Sequence, residues 1–582
     1  MNRREFFDLL AKASVTAGLA GCTTLQETDA NDFYDLRAFG NARLLHFTDT
    51  HAQLQPIYFR EPNVNIGISH NTGRWPHLVG KNLLREFPTD NPRIAHALTY
   101  LDFTEAAQRF GRVGGFAHLK TLIDQLRDQV GGDALLLDGG DTWQGSATAL
   151  WTGGEDMVQA CNLLGVDIMT GHWEFTYQDT HTRANADRFN GEFIAQNVKA
   201  TEDALFEGVE VYDEDSGHVF KPYTIKTLNG RRIAVIGQAF PYTPIANPKR
   251  FIPDWTFGIG EADLQDTVDT LRATEQVDAV VLLSHNGMDV DLKLASRVSG
   301  IDFILGGHTH DGVPVPVPVA NAGGKTIVTN AGSNGKFIGV LDIDFNGQGI
   351  RGYRYRLLPV FAELLPADRD MQAYIESVRA PFLDQLREPL AKTETLLYRR
   401  GNFNGTFDQI ICDALRQELD AQISLSPGFR WGTTVLPGET ITMERLMDQT
   451  AMTYPETYVR TMRGEELKFI LESVCDNLFH PDPYLQQGGD MVRVGGLNFR
   501  CAPKAAAGAR IDQLTLPDGQ PLNPSHLYKV AGWATVGAQS PGAPVWDVVA
   551  DYLRAQDPVR IEQVNQPRLR GVENNPGLAD YG

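Results

Sequence analysis

Carboxylates and imidazoles recur in short clusters along the N-terminal half of the chain, each following an apolar run. The five clusters are Asp49-Thr50-His51, Asp138-Gly139-Gly140-Asp141, Gly171-His172-Trp173-Glu174, Ser284-His285 and Gly306-Gly307-His308-Thr309-His310. If the apolar runs are parallel strands of an open sheet, their carboxyl ends meet in one crevice and bring these side chains together. Carboxylates and imidazoles crowded in one crevice are unfavourable unless a cation binds them. Carboxylate and imidazole ligands together are typical of sites for divalent Zn, Mn or Fe. The sequence therefore predicts a metal centre.

The elements that must position these clusters alternate between strand-like and helix-like patterns, which is typical of an α/β layered fold. The predicted strands are Leu44–Phe47, Ala134–Leu137, Ile233–Ile236, Ala279–Leu283, Phe303–Leu305 and Ile327–Val328. Helical spacing is found in Gly115–Leu126 and Ala262–Glu275. The polar span Ala52–Phe110, rich in Pro, Asn and His, is predicted to be an inserted loop region that shapes the site. Val313–Val319 alternates Val and Pro, which favours a sheet edge or a loop.

A chain of 582 residues is too long for one hydrophobic core, so two domains are expected. We predict that residues 40–365 form the metal-binding domain and that residues 399–570 form a smaller domain. Residues 366–398 are predicted to be a linker helix or the entry to the second domain, because Asp368–Leu397 has apolar residues at helical spacing. A helix is also predicted at Asp408–Leu419.

Charge and composition argue against nucleic-acid binding and against a membrane-spanning segment. The formal net charge of −21 argues against nonspecific nucleic-acid binding, but it allows a small anionic substrate because metal ions can reverse the local potential. No stretch after the N-terminus has 18 consecutive apolar residues, so none is expected to span a bilayer. Cys475 and Cys501 are candidates for a disulfide, a question that the sequence leaves open.

Residues 1–22 are typical of an export signal rather than of a folded element. Arg3 and Arg4 precede a mildly apolar stretch of small residues, as in twin-arginine signals, which direct folded proteins to the periplasm. The alternative interpretation is an amphipathic first helix. Leu19-Ala20-Gly21-Cys22 is similar to a lipoprotein cleavage box, in which Cys22 would carry a lipid anchor; cleavage without lipidation is the other possibility.

The order D-x-H, GD, a GNHE-like box, SH and GGHTH resembles that of the calcineurin-like phosphoesterases and, within them, of the 5′-nucleotidase family. The resemblance implies a four-layer sandwich of two mixed sheets flanked by helices, followed by a smaller α+β domain. It implies that one metal is bound by Asp49, His51, Asp141 and His310. Asp141 would bridge to a second metal bound by His172, His285 and His308. A hydroxide between the metals would be the nucleophile.

The chain departs from the family pattern in two places. The box Gly-Asn-His-Glu of the family is Gly171-His172-Trp173-Glu174 here, so Trp173 replaces a histidine, and an indole cannot transfer a proton at neutral pH. The GGDG-type turn of the nucleotidases is missing from the stretch Gly532–Gly542, which puts a nucleoside pocket in doubt. Arg430 matches a family position that binds the substrate anion, although an ordinary salt bridge would explain it equally well. Tyr454 and Asp490 are expected to face the cleft.

These departures resemble one branch of the family, the thiosulfohydrolases of the bacterial sulfur-oxidation (Sox) system. The resemblance implies an exported enzyme with two Mn²⁺ ions that removes a terminal sulfonate as sulfate from thiosulfate bound to a cysteine of the SoxYZ carrier protein. The candidate catalytic residues are Asp141, Trp173, Arg430 and Tyr454. Two alternatives are open: a periplasmic 5′-nucleotidase or phosphodiesterase, and a binding protein in which the metals are structural.

Overall fold

The computed structural model describes residues 33–537 and 539–579. The predicted export signal, with Arg3, Arg4 and Cys22, lies outside the described residues. From Leu36 onward the chain forms one compact unit. Among the described residues, no helix has the length and apolarity needed to cross a membrane.

Two large sheets are built from the N-terminal strands. These are β1 (Ala42–Phe47), β2 (Ala134–Asp138), β3 (Ile168–Met169), β4 (Glu192–Phe193), β5 (Lys199–Ala200), β6 (Tyr223–Leu228), β7 (Arg231–Gln238), β8 (Trp255–Thr256), β9 (Ala279–Ser284), β10 (Phe303–Gly306), β11 (Val317–Asn321), β12 (Gly324–Asn330), β13 (Phe337–Asn346) and β14 (Gly349–Pro359). The first sheet has the order β14-β13-β1-β2-β3-β4, and the second has the order β11-β12-β10-β9-β7-β6. In the first sheet β1, β2, β3 and β4 pair in parallel, and the pairings of β1 with β13 and of β13 with β14 are antiparallel. In the second sheet the four central strands pair in parallel and both edge strands pair antiparallel, so both sheets are mixed.

Eleven α-helices lie among the described residues of this N-terminal part. They are α1 (Gly80–Glu86), α2 (Pro92–Leu98), α3 (Phe103–Phe110), α4 (Phe116–Asp128), α5 (Ala147–Thr152), α6 (Glu155–Leu164), α7 (Asp179–Arg188), α8 (Glu202–Glu207), α9 (Thr243–Ala246), α10 (Glu261–Ala273) and α11 (Met288–Arg297). Leu44 and Leu137 of the first sheet share a buried core with Val281 and Leu305 of the second. Strands buried on both faces need continuous apolar runs, which is why β9 is entirely apolar up to Ser284. The predicted layered α/β fold is confirmed.

The C-terminal part forms smaller sheets. Its strands are β15 (Pro389–Lys392), β16 (Ile423–Ser426), β17 (Thr440–Thr442), β18 (Thr457–Arg463), β19 (Arg493–Gly495), β20 (Asn498–Cys501), β21 (Ile511–Thr515), β22 (Leu527–Trp533) and β23 (Arg568–Leu569). Its helices are α12 (Arg369–Arg379), α13 (Leu383–Leu386), α14 (Thr406–Glu418), α15 (Met443–Thr450), α16 (Gly464–Phe479) and α17 (Val545–Ala555). The main sheet has the order β18-β22-β16-β19. The thiol sulfurs of Cys475 and Cys501 lie 3.6 Å apart in its core and are not bonded.

Two local predictions need correction. The span Ala52–Phe110 is not a plain loop, because it contains α1, α2 and α3; helices of seven or eight residues are too short to give a clear periodic signal among Pro and Asn. The helical part of residues 366–398 ends at Leu386, because β15 begins at Pro389; Pro381 divides it into α12 and α13 but does not end it. The Val/Pro segment does lie at a sheet edge, as β11.

The segment 52–110 packs against the C-terminal part. Tyr58 pairs with Thr434, and Val64 pairs with Leu578, each through an isolated β-bridge. The backbone N–H of Ile66 donates a 2.7 Å hydrogen bond to Oδ1 of Asn402. This segment therefore links the two parts of the chain beside the site.

Candidate metal centre

The structure brings all seven predicted ligands together in two groups that share one residue. Asp49, His51, Asp141 and His310 form the first group, and Asp141, His172, His285 and His308 form the second. Within each group the potential ligand atoms lie within 4.8 Å of one another. All seven side chains are buried or nearly so.

The carboxyl ends of parallel strands position these residues, as the sequence predicts. Asp49 and His51 follow β1, Asp141 follows β2, His172 follows β3, His285 follows β9, and His308 and His310 follow β10. The first three strands belong to the first sheet and the last two belong to the second sheet. The site therefore lies where the ends of both sheets meet.

Asp141 lies at the centre of the cluster. Its Oδ2 is 3.0 Å from Nε2 of His285, 3.2 Å from Nδ1 of His172 and 3.7 Å from Nε2 of His51. Its Oδ1 accepts a 2.7 Å hydrogen bond from the backbone N–H of Trp173. Burial raises the pKa of Asp141, but His172 and His285 outweigh burial and hold that pKa well below its usual range. An ionised carboxylate in this position can bridge two cations.

The imidazoles have the chemistry of metal ligands rather than of a hydrogen-bond network. Nε2 of His51 lies 3.0 Å from Nε2 of His310. Burial lowers the pKa of His51 to about 3 and lowers that of His310 well below its usual value, so both rings are neutral. Among the described residues, Nε2 of His172 has no hydrogen-bond partner. Buried nitrogen atoms without partners are costly, and a divalent cation satisfies them.

His285 is the exception among the imidazoles. Burial lowers its pKa, but the carboxylates of Asp141 and Asp49 outweigh burial and raise that pKa to about 10. Nδ1 of His285 donates a 2.6 Å hydrogen bond to the backbone carbonyl of Gly139, which leaves Nε2 to face Asp141. A carbonyl that orients a ring in this way is typical of metal-bound histidine.

The backbone at the site is strained, and a buried glutamate stabilises it. Five of the ligand residues have positive φ, between 46° and 70°: Asp49, His51, Asp141, His308 and His310. Such conformations cost of order 1–3 kcal/mol each. The carboxylate of Glu174 accepts hydrogen bonds from the backbone N–H groups of Asp141, Thr142, Trp143 and His172, at 2.7–3.2 Å. Sequence analysis assigned no role to Glu174, although it is the last residue of the His172-Trp173-Glu174 box.

A cavity of about 280 Å³ opens onto the ligand cluster. Trp173, Arg430 and Tyr454 line it, so the structure places these three predicted residues beside Asp141. Nη1 of Arg430 is 3.4 Å from the carbonyl of His308, and its Nε is 3.7 Å from Oδ1 of Asp490. The hydroxyl of Tyr454 donates to the carbonyl of Ala246 at 2.6 Å, so it holds the wall of the cavity.

Aromatic rings from both parts of the chain surround the ligands. Trp173 meets Phe429 and Trp431 edge to face, with ring centroids 5.7 and 5.4 Å apart. Trp431 stacks on His51 at 5.2 Å, and Phe240 stacks on His308 at 4.0 Å. Sequence analysis missed Trp431 and Phe240. Phe240 could have been found, since it follows the end of β7 as the ligands follow their strands.

Two protein-family models match this chain. The calcineurin-like phosphoesterase family matches residues 42–312, and the 5′-nucleotidase C-terminal domain matches residues 390–546. The structure of sulfate thiohydrolase SoxB from Thermus thermophilus, in complex with glycerol, is 38% identical, with a TM-score of 0.85 over 92% of this chain and 98% of that one. The chain belongs to the 5′-nucleotidase family of calcineurin-like phosphoesterases. Membership and geometry together support a hydrolase with two divalent metal ions.

Other members of the family are more distant. The 5′-nucleotidase of Bos taurus is 25% identical over 464 residues, which cover 72% of this chain and 76% of that protein. The trifunctional nucleotide phosphoesterase YfkN of Bacillus subtilis is 26% identical over 475 residues, which cover 74% of this chain and 31% of YfkN. The chain thus matches about a third of YfkN.

Glu174→Gln is expected to destabilise the backbone that holds the metal ligands Asp141 and His172. An amide cannot accept four N–H groups as a carboxylate does, so we expect a loss of about 2–3 kcal/mol in the free energy of unfolding and about 10–100-fold weaker metal binding. Urea denaturation of the metal-free protein and calorimetric titration with Mn²⁺ measure the two effects.

Asp138→Asn is the matched control. Burial raises the pKa of Asp138 well above its usual value, which favours the protonated form that an amide resembles. Its Oδ1 accepts from the backbone N–H of Gly140 at 2.9 Å, which asparagine can also do. A loss of metal affinity in the control equal to that of Glu174→Gln would contradict the role given to Glu174.

Proposed function

We propose that this chain is a periplasmic thiosulfohydrolase. It hydrolyses thiosulfate bound through its sulfane sulfur to a cysteine of the SoxYZ carrier protein and releases sulfate. The observation that carries this proposal is Trp173, which stands against the ligand cluster where the family has a histidine. Similarity to SoxB of Thermus thermophilus supports it. Export to the periplasm rests on residues 1–22, and a lipid anchor at Cys22 stays a prediction of the sequence.

The reaction joins one water to the terminal sulfur and breaks the bond between the two sulfurs of thiosulfate. R–S–S–SO₃⁻ and H₂O give R–S–S⁻, SO₄²⁻ and two H⁺. Two divalent ions, which we propose are Mn²⁺, would supply Lewis acidity and lower the pKa of the attacking water. Asp49, His51, Asp141 and His310 would hold one ion, and Asp141, His172, His285 and His308 the other.

We propose that Arg430 holds the anionic end of the substrate. Its guanidinium lines the cavity near the carbonyl of His308, and its Nε lies 3.7 Å from Oδ1 of Asp490. A planar guanidinium can donate two parallel hydrogen bonds to oxygens of a tetrahedral sulfonate. Trp173, Phe429 and Trp431 give the cavity an apolar aromatic wall.

Trp173 suits a leaving group that needs no proton. A persulfide is far less basic than an alkoxide, so it can depart as an anion. An alcohol leaving from a phosphate ester benefits from a proton donor, and an indole cannot serve as one at neutral pH. Phe429 also stacks on Trp431 with ring centroids 4.0 Å apart, so a planar base cannot insert between these two rings.

The second candidate function is that of a 5′-nucleotidase or phosphodiesterase. The matches to nucleotidases and the complete set of seven ligands favour it, because the same metal pair can activate water against phosphorus. Trp173 and the closed Phe429–Trp431 stack count against it.

The two candidates differ in the anion that they release. We expect the purified, Mn²⁺-loaded protein to release sulfate from a thiosulfate-conjugated carrier and to leave AMP intact when both are assayed in parallel. Asp141→Asn, which removes the shared carboxylate, should abolish sulfate release. Phosphate release without sulfate release would overturn the proposal.

Trp173→His tests the account of the leaving group. The metal ligands are untouched and the imidazole restores a proton donor, so we expect unchanged Mn²⁺ binding and a gain in phosphomonoesterase activity. Trp173→Phe, which keeps the aromatic wall without the N–H, should retain sulfate release within about tenfold, because the indole supplies no proton. Loss of sulfate release far beyond tenfold in Trp173→Phe would refute the explanation, because it would show that the indole N–H takes part in the reaction.

A further inference from the structure

The loop that carries two of the ligands is held by arginines from the C-terminal part of the chain. Nη2 of Arg400 donates to the backbone carbonyls of Thr309 at 2.9 Å and His310 at 3.3 Å. The same nitrogen lies 3.4 Å from Oδ1 of Asp311. With Arg430 on the carbonyl of His308, guanidinium groups contact three successive carbonyls of this loop.

This loop needs partners from outside its own sheet. β10 ends at Gly306, so residues 308–310 have left the hydrogen-bonded ladder of the second sheet. His308 and His310 have φ of 70° and 58°, a strained conformation for residues with side chains. Buried carbonyl groups without partners cost free energy, and strained backbone persists only where surrounding contacts fix it.

Arg400 is suited to this task by geometry rather than by charge balance alone. Its side chain is 3% exposed, and its Nε has no hydrogen-bond partner among the described residues. A buried N–H without a partner lowers the stability of the folded protein. The unpaired Nε therefore suggests that Arg400 has a role other than stabilising the fold. Nη2 belongs to a rigid planar group, which fixes its direction toward the two adjacent carbonyls, whereas an ammonium group on a flexible stem has no such fixed direction.

We propose that Arg400 is a positioning residue for both metal sites, which acts through the carbonyls of Thr309 and His310. The loop supplies His310 to one ligand group and His308 to the other, so a change in its tilt moves a ligand of each ion. The C-terminal part thus contributes to metal binding without supplying a ligand. The inference rests on the two-metal site of the proposed function and does not depend on the identity of the substrate.

Arg400→Gln in the full chain tests this role. We expect both Mn²⁺ ions to bind about 10–100-fold more weakly in calorimetric titration of the metal-free protein, as is typical when a residue that orients ligands is lost. The visible absorption of the Co²⁺-loaded protein should change, because the imidazoles shift. All seven ligands remain, so kcat for sulfate release should recover at saturating Mn²⁺. Arg400→Lys, which keeps one donor to the loop, should give an intermediate affinity.

Arg399→Gln is the matched control. Arg399 is adjacent and equally buried, but its guanidinium donates to Oδ1 of Asp408 at 2.8 Å and to the carbonyl of Gln449 at 2.6 Å. We expect this variant to lose stability while its Mn²⁺ affinity stays within about twofold of the parent, because its hydrogen bonds do not orient the ligands.

Unchanged Mn²⁺ affinity in Arg400→Gln would overturn the proposal, and so would an equal loss in Arg399→Gln. If Arg400→Gln does not fold, Arg400→Lys and Asp311→Asn replace it; Asp311 anchors the guanidinium, so its loss should also weaken Mn²⁺ binding. Parental affinity in both variants would overturn the proposal. The titrations use no substrate, so a failure of sulfate release leaves their outcome readable.

Discussion

Five imidazoles and two carboxylates share a volume from which water is largely excluded, and their electrostatics constrain the rest of the structure. Without cations, the neutral rings of His51 and His310 hold their Nε2 atoms 3.0 Å apart, while the carboxylates of Asp141 and Asp49 raise the pKa of His285 to about 10. Two divalent ions remove this conflict and compensate the cost of burying Asp141. The scaffold must hold the ligands in place before the ions bind.

The fold meets this requirement at three levels. Parallel strands of two sheets end at the same place, so residues far apart in sequence converge there. Tight turns at those ends place ligands in strained backbone conformations, which Glu174 stabilises from within the N-terminal part. The C-terminal part closes the site with Arg400 and Arg430 and completes its aromatic wall. The two parts of the chain therefore build one site.

Much of this could be predicted from the sequence, because the ligands follow a local rule: each stands just after a buried apolar run. The same apolar runs, alternating with helical patterns, predicted the layered sheets. Glu174, Trp431 and Arg400 were not assigned their roles, since these depend on contacts between residues that only the tertiary fold brings together. The short helices of the segment 52–110 were missed because they have too few turns for a periodic signal. The linker helix is shorter than predicted because a strand begins at Pro389.

The central claim is that Asp141 bridges two divalent ions within a preorganised cluster, and anomalous diffraction from crystals of the Mn²⁺-loaded protein tests it most directly. The account predicts two anomalous peaks, one among Asp49, His51, Asp141 and His310, and one among Asp141, His172, His285 and His308. A single peak, or a second ion bound without Asp141, would contradict it.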